Sequence, residues 1–186
     1  MTGELRTKRL RLERLRADHA DQVFEAMQDP ALYTFVPQDP PEREALRARY
    51  AFLAGASSPD GRERWLNWIA FLEASATAVG HFQATVPPEA EASIAYSVFP
   101  SFWRRGYARE MGLAVVEHLF EDGRCPGLFA EIDTRNEASL ALVAALGFRR
   151  ESRIEGADFF KGASSDEYRC ALSREEWLRA GSGEPG

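Results

Sequence analysis

From Thr7 to Leu15 apolar and charged residues alternate, Leu10 and Leu12, then Leu15, against Arg11 and Glu13. A period of two predicts a strand with one buried face. From Asp18 to Asp29 the period lengthens. Ala20, Val23, Phe24 and Met27 share a helical face, with Asp18 as N-cap and Pro30 as the stop. Residues 31–41 are broken by prolines, yet carry Tyr33 and Phe35. A second helix is expected from Pro41 to Leu53, its proline placed where a missing N–H costs nothing. Trp65–Leu72, Ala78–Val86 and Ser93–Phe99 are short apolar runs between turn residues, which predicts an antiparallel meander.

A helical period returns at Arg105–Phe120, where Ala108, Met111, Gly112, Val115, Val116 and Leu119 form one broad face. Leu128–Asp133 predicts a strand. Asn136–Leu146 predicts a helix stopped by Gly147. Phe148–Ile154 and Glu167–Leu172 read as two closing strands, and residues 181–186 as a flexible tail. The result is a mixed α/β fold with seven strands. No repeat or linker divides it, so one domain is expected over residues 1–186, with its core at 6–180.

Composition narrows the function. The 186 residues are 45% hydrophobic and 28% charged, enough for one sizeable core. Lys and Arg number 23 against 29 Asp and Glu, a net charge of -6. That disfavours a protein that coats nucleic acid or an anionic membrane, though not a local basic patch for a phosphorylated ligand. No run approaches the roughly 20 apolar residues of a membrane helix. Met1–Arg16 has no apolar signal-peptide core, so the cytoplasm is the expected compartment. Cys125 and Cys170 form no CxxC, and His19, His81 and His118 stand singly. No metal site is expected, and both thiols read as reduced and partly buried.

The informative segment is Ser93–Phe120. A strand ends near Val98, and Trp103-Arg104-Arg105-Gly106-Tyr107-Ala108 leads into a helix. The first N–H groups of a helix lack internal partners and carry the positive end of its dipole. Gly106 and Ala108 keep side chains clear, while Arg104, Arg105 and Arg109 add charge. This suits a pyrophosphate. Solvated arginines at a routine turn would leave the same pattern. Neither GxxxxGK[ST] nor GxGxxG occurs, which demotes nucleotide hydrolysis and dinucleotide redox chemistry.

RRGYA before a helix, followed by NEASLALVAALGF at Asn136–Phe148, resembles the GCN5-related N-acetyltransferases (GNAT). TKRLRLERL and DEYRCALSREEW, at Asp166–Trp177, resemble the RimJ/RimL branch in particular. Trp103 stands where the general family pattern has Arg or Gln, a substitution usual in that branch. The resemblance implies a mostly antiparallel sheet of about seven strands flanked by helices, with strands splayed at an acyl-CoA cleft. It implies acetyl-CoA as co-substrate, no metal, a primary amine as acceptor, and by analogy a homodimer. Main chain at Tyr96, Ser97 and Val98 would pair with the pantetheine arm. The N–H groups of Arg104, Arg105, Gly106, Tyr107, Ala108 and Arg109 would hold the pyrophosphate, and Asn136 would bond the pantetheine. Glu131 matches a position where relatives place a base; alternatively it is an outward-facing strand residue. Ser139 would sit near the sulfur. Val143 occupies the place of a tyrosine that protonates the leaving thiolate in many relatives, so Ser139 or a water it holds becomes the substitute. Tyr33, Phe35, Phe159 and Phe160, otherwise core candidates, fall where the family builds its acceptor pocket, and Glu89 and Glu91 beside the cleft would favour a cationic amine or else belong to a solvated loop. Loss of the tyrosine also admits a non-catalytic acyl-CoA sensor.

Overall fold

The computed structural model describes residues 3–121, 123 and 125–182. Its strands are β1 (Leu5–Arg6), β2 (Leu10–Arg14), β3 (Arg64–Leu72), β4 (Ala78–Val86), β5 (Ala92–Val98), β6 (Gly127–Asp133), β7 (Arg149–Phe160) and β8 (Ala163–Ser173). They form one sheet in the order β1-β2-β3-β4-β5-β6-β8-β7. Only β5 and β6 run parallel. That parallel pair requires a crossover, supplied by α3 (Tyr107–Glu121).

Both faces of the sheet centre are covered, so β3 reads as the near-continuous apolar run WLNWIAFL. Trp68 and Ala70 pack with Phe82, Val115 and Leu140 beneath α3 and α4 (Glu137–Ala145). Ile69 and Phe71 pack on the other face with Val23 of α1 (His19–Val23) and Leu46 and Tyr50 of α2 (Arg43–Leu53). Burying each large apolar side chain here stabilises the fold by roughly 1.5–3 kcal/mol. Cys125 and Cys170 are free, buried thiols. Among the described residues no helix is long and apolar enough to cross a membrane.

Four expectations change. The sheet has eight strands, because Leu5–Arg6 adds a short edge pairing. The first helix is only five residues long and continues as 3-10 turns at Ala26–Gln28 and Pro30–Tyr33. Asp18 does not cap it, since the Asp18 carboxylate pairs with Arg16 at 3.0 Å. Asp29 caps the second 3-10 turn instead, accepting from the Ala31 N–H at 2.9 Å. Finally, β7 and β8 are far longer than expected, and a fifth helix, α5 (Arg174–Ser182), follows them. Ser173 and Glu176 cap α5 reciprocally, the Glu176 carboxylate accepting from the Ser173 N–H at 3.0 Å and the Ser173 hydroxyl from the Glu176 N–H at 3.2 Å. Of the expected tail, Gly181 and Ser182 end this helix, and residues 183–186 lie outside the described residues.

The end of β6 sets up α4. The Asp133 carboxylate, 2% exposed, accepts from the Arg135 N–H at 2.8 Å, Arg135 Nε at 2.9 Å and the Ser165 hydroxyl at 2.6 Å. The Arg135 guanidinium first, then Ser165, hold its pKa down to about 2 against the opposing effect of burial. Its folded pKa therefore lies below the unfolded value, so the ionised carboxylate stabilises the fold above about pH 4. That stability is lost as pH falls towards 2. Unfolding titrations between pH 5 and 2 are expected to show the wild type losing about 2 kcal/mol more than Asp133→Asn. Equal acid slopes would remove Asp133 from this role.

Candidate active site

β5 and β6 pair only at Ala92–Leu128 and Ser93–Phe129. Beyond Ser93 they separate, while β5 stays registered with β4 as far as Val98. The Phe99 N–H bonds the Val79 carbonyl at 2.8 Å. Counting back by alternation, the N–H and C=O groups of Tyr96 and Val98 face the gap rather than β4. A strand edge is thereby left open in mid-sheet, ready for an extended ligand arm. Trp103 Nε1 donates to the Val98 carbonyl at 2.6 Å and ties the following turn to this edge. Across the gap the Tyr96 phenol donates to the Ser139 carbonyl at 3.2 Å. Burial pushes that phenol up to about 12.

The turn into α3 uses left-handed backbone at Arg104, φ +59°, and Gly106, φ +78°. The Glu110 N–H makes the first helical bond, to the Gly106 carbonyl at 3.1 Å. The N–H groups of Tyr107, Ala108 and Arg109 therefore precede the ladder and have no helical acceptor. A Cβ on Gly106 would meet only Arg9 Nη2, at 3.4 Å, so the approach is open. Glu110 holds the turn from behind. Its carboxylate accepts from the Thr7 hydroxyl at 2.6 Å, the Arg9 N–H at 2.8 Å and Arg9 Nε at 2.6 Å. Arg9 Nη1 also reaches the Arg105 carbonyl at 3.0 Å, and its guanidinium lies 4.3 Å over the Tyr107 ring. The N-terminal strand region is thus part of the site's scaffold.

Gap and turn open into one cavity of about 1050 Å³ that passes through the sheet. On the α3–α4 side it is lined by Tyr96, Val98, Arg104, Gly106, Tyr107, Ala108, Arg109, Asn136 and Ser139, while Ser97, opposite His81, faces the α2 side. Arg105 does not line it. On the α2 side it meets Tyr33, Phe35, Arg49, Asn67, His81 and Gln83. Asn136 caps α4, its side-chain oxygen accepting from the Ser139 N–H at 3.1 Å. The Ser139 hydroxyl stays half-buried at the cavity wall beside the Tyr96 phenol, and its side-chain hydrogen bond there opposes the upward effect of burial on Tyr96. Val143 is buried in the core and does not line the cavity.

Other expected residues lie elsewhere. Glu131 points out of the sheet, 43% exposed and 3.9 Å from Arg169. It lines an adjoining hollow of about 270 Å³ with Thr85, Ser93 and Glu167, which shares Gln83 and Ala95 with the main cavity and where burial and the Glu131 charge raise the Glu167 carboxyl. Phe159 is 72% exposed, and neither it nor Phe160 lines the main cavity. Both sit near the tip of the β7–β8 hairpin, which contributes Asp158 to the cavity wall. Lys161 beside them donates its Nζ to the Tyr33 carbonyl, so the hairpin fastens the Tyr33 segment. Glu91 is paired with Arg169 at 2.6 Å, and neither it nor Glu89 lines the cavity. Sequence reading missed Glu110 and His81; for Glu110, an acidic residue in the first turn of the helix was the available signal.

The acetyltransferase (GNAT) domain pattern matches residues 9–149. The FsC-acetyl coenzyme A-N(2)-transacetylase of Aspergillus fumigatus is 28% identical over 193 residues, covering 94% of this chain and 78% of that protein. A GNAT-family acetyltransferase structure from Bacillus anthracis superposes with a TM-score of 0.81 at 20% identity, covering 92% of this chain and 99% of that one. The structure of RimL, the ribosomal L7/L12 alpha-N-protein acetyltransferase in complex with coenzyme A, gives a TM-score of 0.81 at 18% identity, covering 91% and 97%. With a domain match spanning the gap, the turn and both helices of the cavity, this chain belongs to the GNAT family of acetyltransferases.

Proposed function

We propose that the protein transfers the acetyl group of acetyl-CoA to the primary amine of a peptide N-terminus or a small molecule. The observation that carries this reading is the β5–β6 gap, which opens into the same cavity as the free N–H groups of α3. A flexible thioester arm and a pyrophosphate need those two features side by side. The N–H groups of Tyr107, Ala108 and Arg109, with the Arg104 and Arg109 side chains, hold the pyrophosphate. The main-chain groups of Tyr96 and Val98 carry the arm, those of Ser97 being turned to β4, and Asn136 closes its path. The Val98 N–H, facing the gap, donates to the oxyanion that forms on the thioester carbonyl. Tyr33 and Phe35 wall the acceptor. The co-substrate and the reduced thiols suit the cytoplasm.

The Ser139 hydroxyl, free of its own helix, donates a proton to the departing thiolate. CoA thiolate is a fairly good leaving group, so Ser139→Ala is expected to lower kcat by on the order of 10²-fold or less, with acetyl-CoA affinity nearly unchanged. Wild-type kcat in single-turnover assays would leave water as the donor.

Release of CoA, with mass spectrometry of the products, over a panel of N-terminal peptides and small primary amines tests the whole reading. Acetylated product from either class is the expected result. The panel spans both because the A. fumigatus relative is named for N(2) transfer and the RimL structure for an alpha-N-protein. Tight acetyl-CoA binding without turnover of any amine would overturn it in favour of the sensor.

A further inference from the structure

His81 stands on β4, one strand from the gap. Its cross-strand partners are Ile69 on β3 and Ser97 on β5. Residues directly opposite share a face. Ile69 packs with Leu46 and Tyr50, so His81 points to the α2 side of the sheet. There it lines the cavity together with Ser97, Asn67 and Gln83. Its Nδ1 is buried and, among the described residues, has no hydrogen-bond partner. A buried polar atom left unpaired costs about 1–3 kcal/mol, so such a group calls for an explanation. The nearby phenols do not supply one. Tyr33 donates to the Met27 carbonyl at 2.9 Å and Tyr50 to Met27 Sδ at 3.5 Å. Nε2 is neither buried nor hydrogen-bonded among the described residues, so it is the ring nitrogen open to what enters the cavity.

We propose that the His81 imidazole is the proton acceptor for the attacking amine. The proposal rests on the acetyltransferase reading above and assigns the base to His81 rather than to Glu131, which lines the adjoining hollow and not the main cavity. The acceptor binds as a neutral amine, one N–H directed at His81 directly or through a single water. Its lone pair forms the N–C bond to the thioester carbon while the carbonyl π pair moves onto oxygen. The nitrogen, now cationic and strongly acidic, gives its proton to the imidazole. The oxygen pair then re-forms C=O, the C–S bond breaks with its electrons on sulfur, and the thiolate is protonated. His81 afterwards returns its proton to solvent. A weakly basic imidazole suffices, because the proton leaves only after the bond has begun to form. Burial first, then the Arg49 guanidinium, hold His81 down to about 4, so it stays neutral and receptive at every physiological pH. The ionisable groups lining the α2 side of the cavity are Arg49 and Tyr50 from α2, Tyr33 from the 3-10 turn and Asp158 from β7. Asn67, Ser97 and Gln83 flank it uncharged.

The test compares His81→Ala, His81→Gln and Glu131→Gln with the wild type, on an amine that the wild type acetylates. His81→Ala is expected to lose roughly 10²–10⁴-fold in kcat, with acetyl-CoA affinity by calorimetry within about twofold. Added imidazole should restore part of the loss, a response that mere loss of packing would not give. His81→Gln, which keeps more of the volume, should show the same kcat defect if the Ala variant is unstable. Glu131→Gln should stay within about tenfold of wild type. In nitrogen spectra of the free protein, the His81 ring should be neutral down to about pH 5. Its signal should move when the amine probe is added to the CoA-bound form. Folded His81 variants with near wild-type kcat would overturn the proposal, as would a loss that imidazole leaves untouched while Glu131→Gln falls more than 100-fold. Absence of wild-type turnover on every amine would instead overturn the acetyltransferase reading, and with it the role of His81.

Discussion

Gly106→Asp is expected to abolish acetyl-CoA binding while leaving the protein folded. The residue sits at φ +78° at the mouth of the anion site, with only Arg9 Nη2 near its missing Cβ. Aspartate tolerates a left-handed backbone better than most residues, so the cost to folding is of order 1 kcal/mol. The cost to binding is larger and has three sources. A carboxylate enters the space where the pyrophosphate must come within hydrogen-bond reach of the Tyr107, Ala108 and Arg109 N–H groups. Its charge repels the phosphates at close range in a partly desolvated turn. It also draws on Arg9 Nη2, 3.4 Å from that point, and so disturbs the contacts to Glu110 and the Arg105 carbonyl by which Arg9 supports the turn. Gly106→Ala separates these effects, because it adds the Cβ and the backbone strain without the charge. Calorimetric titration should show no heat for the Asp variant and a weakened isotherm for the Ala variant, both at wild-type helicity. Undiminished affinity in Gly106→Asp would move the pyrophosphate away from this helix end.

Much of this site is legible in the sequence where one local rule decides the outcome. The turn at Arg104–Gly106 is such a case: two arginines, a glycine and a helical period announce free N–H groups without tertiary information. The meander of β3, β4 and β5 was legible because turn residues bound each apolar run. The gap was not legible in the residues alone and entered only through the family resemblance. Nothing in ASIAYSV marks the point after Ser93 where β5 leaves β6, since that separation depends on where α3 returns the chain. The hairpin of β7 and β8 was read short for a different reason. β7 is the outer strand of the sheet and is exposed along most of its length, so it carries no alternating apolar pattern. Phe159 and Phe160, which family position puts at the acceptor, lie on this hairpin outside the lining of the main cavity. The signal for α5 is the capping pair Ser173-x-x-Glu176 rather than an apolar period. His81 could not be found by pattern. A lone histidine on a strand is ordinary until its neighbours show that neither ring nitrogen has a partner among the described residues and that the ring lines the cavity.

The other large effect is expected from Gly80→Ala, the smallest substitution that tests how the gap is held open. Gly80 lies opposite Val98, at the last register position of β4 and β5. A Cβ there would stand 2.2 Å from the Ser97 carbonyl oxygen and 2.9 Å from the Val98 Cα. Both are backbone atoms, so no side-chain rotation relieves the clash. Either β4 or β5 must move, in a region where Trp68 and Phe82 are almost fully buried and packed on both strands. Overpacking a core usually costs about 1–3 kcal/mol, and a backbone clash belongs at the upper end or beyond. For a chain of this size about 3 kcal/mol lowers Tm by roughly 6–12 °C. The displaced strand also carries the Tyr96 and Val98 groups that face the gap, so acetyl-CoA affinity should fall along with stability. Gly181→Ala, at a site with nothing within 4 Å, is the control and should change neither. Thermal unfolding with calorimetric titration of acetyl-CoA measures both quantities on the same samples. A Gly80→Ala protein with unchanged Tm would show that the two strands yield easily at this point. One that melts early but binds acetyl-CoA normally would show that the ligand-facing edge of β5 is held by Trp103 and the turn, not by its pairing with β4.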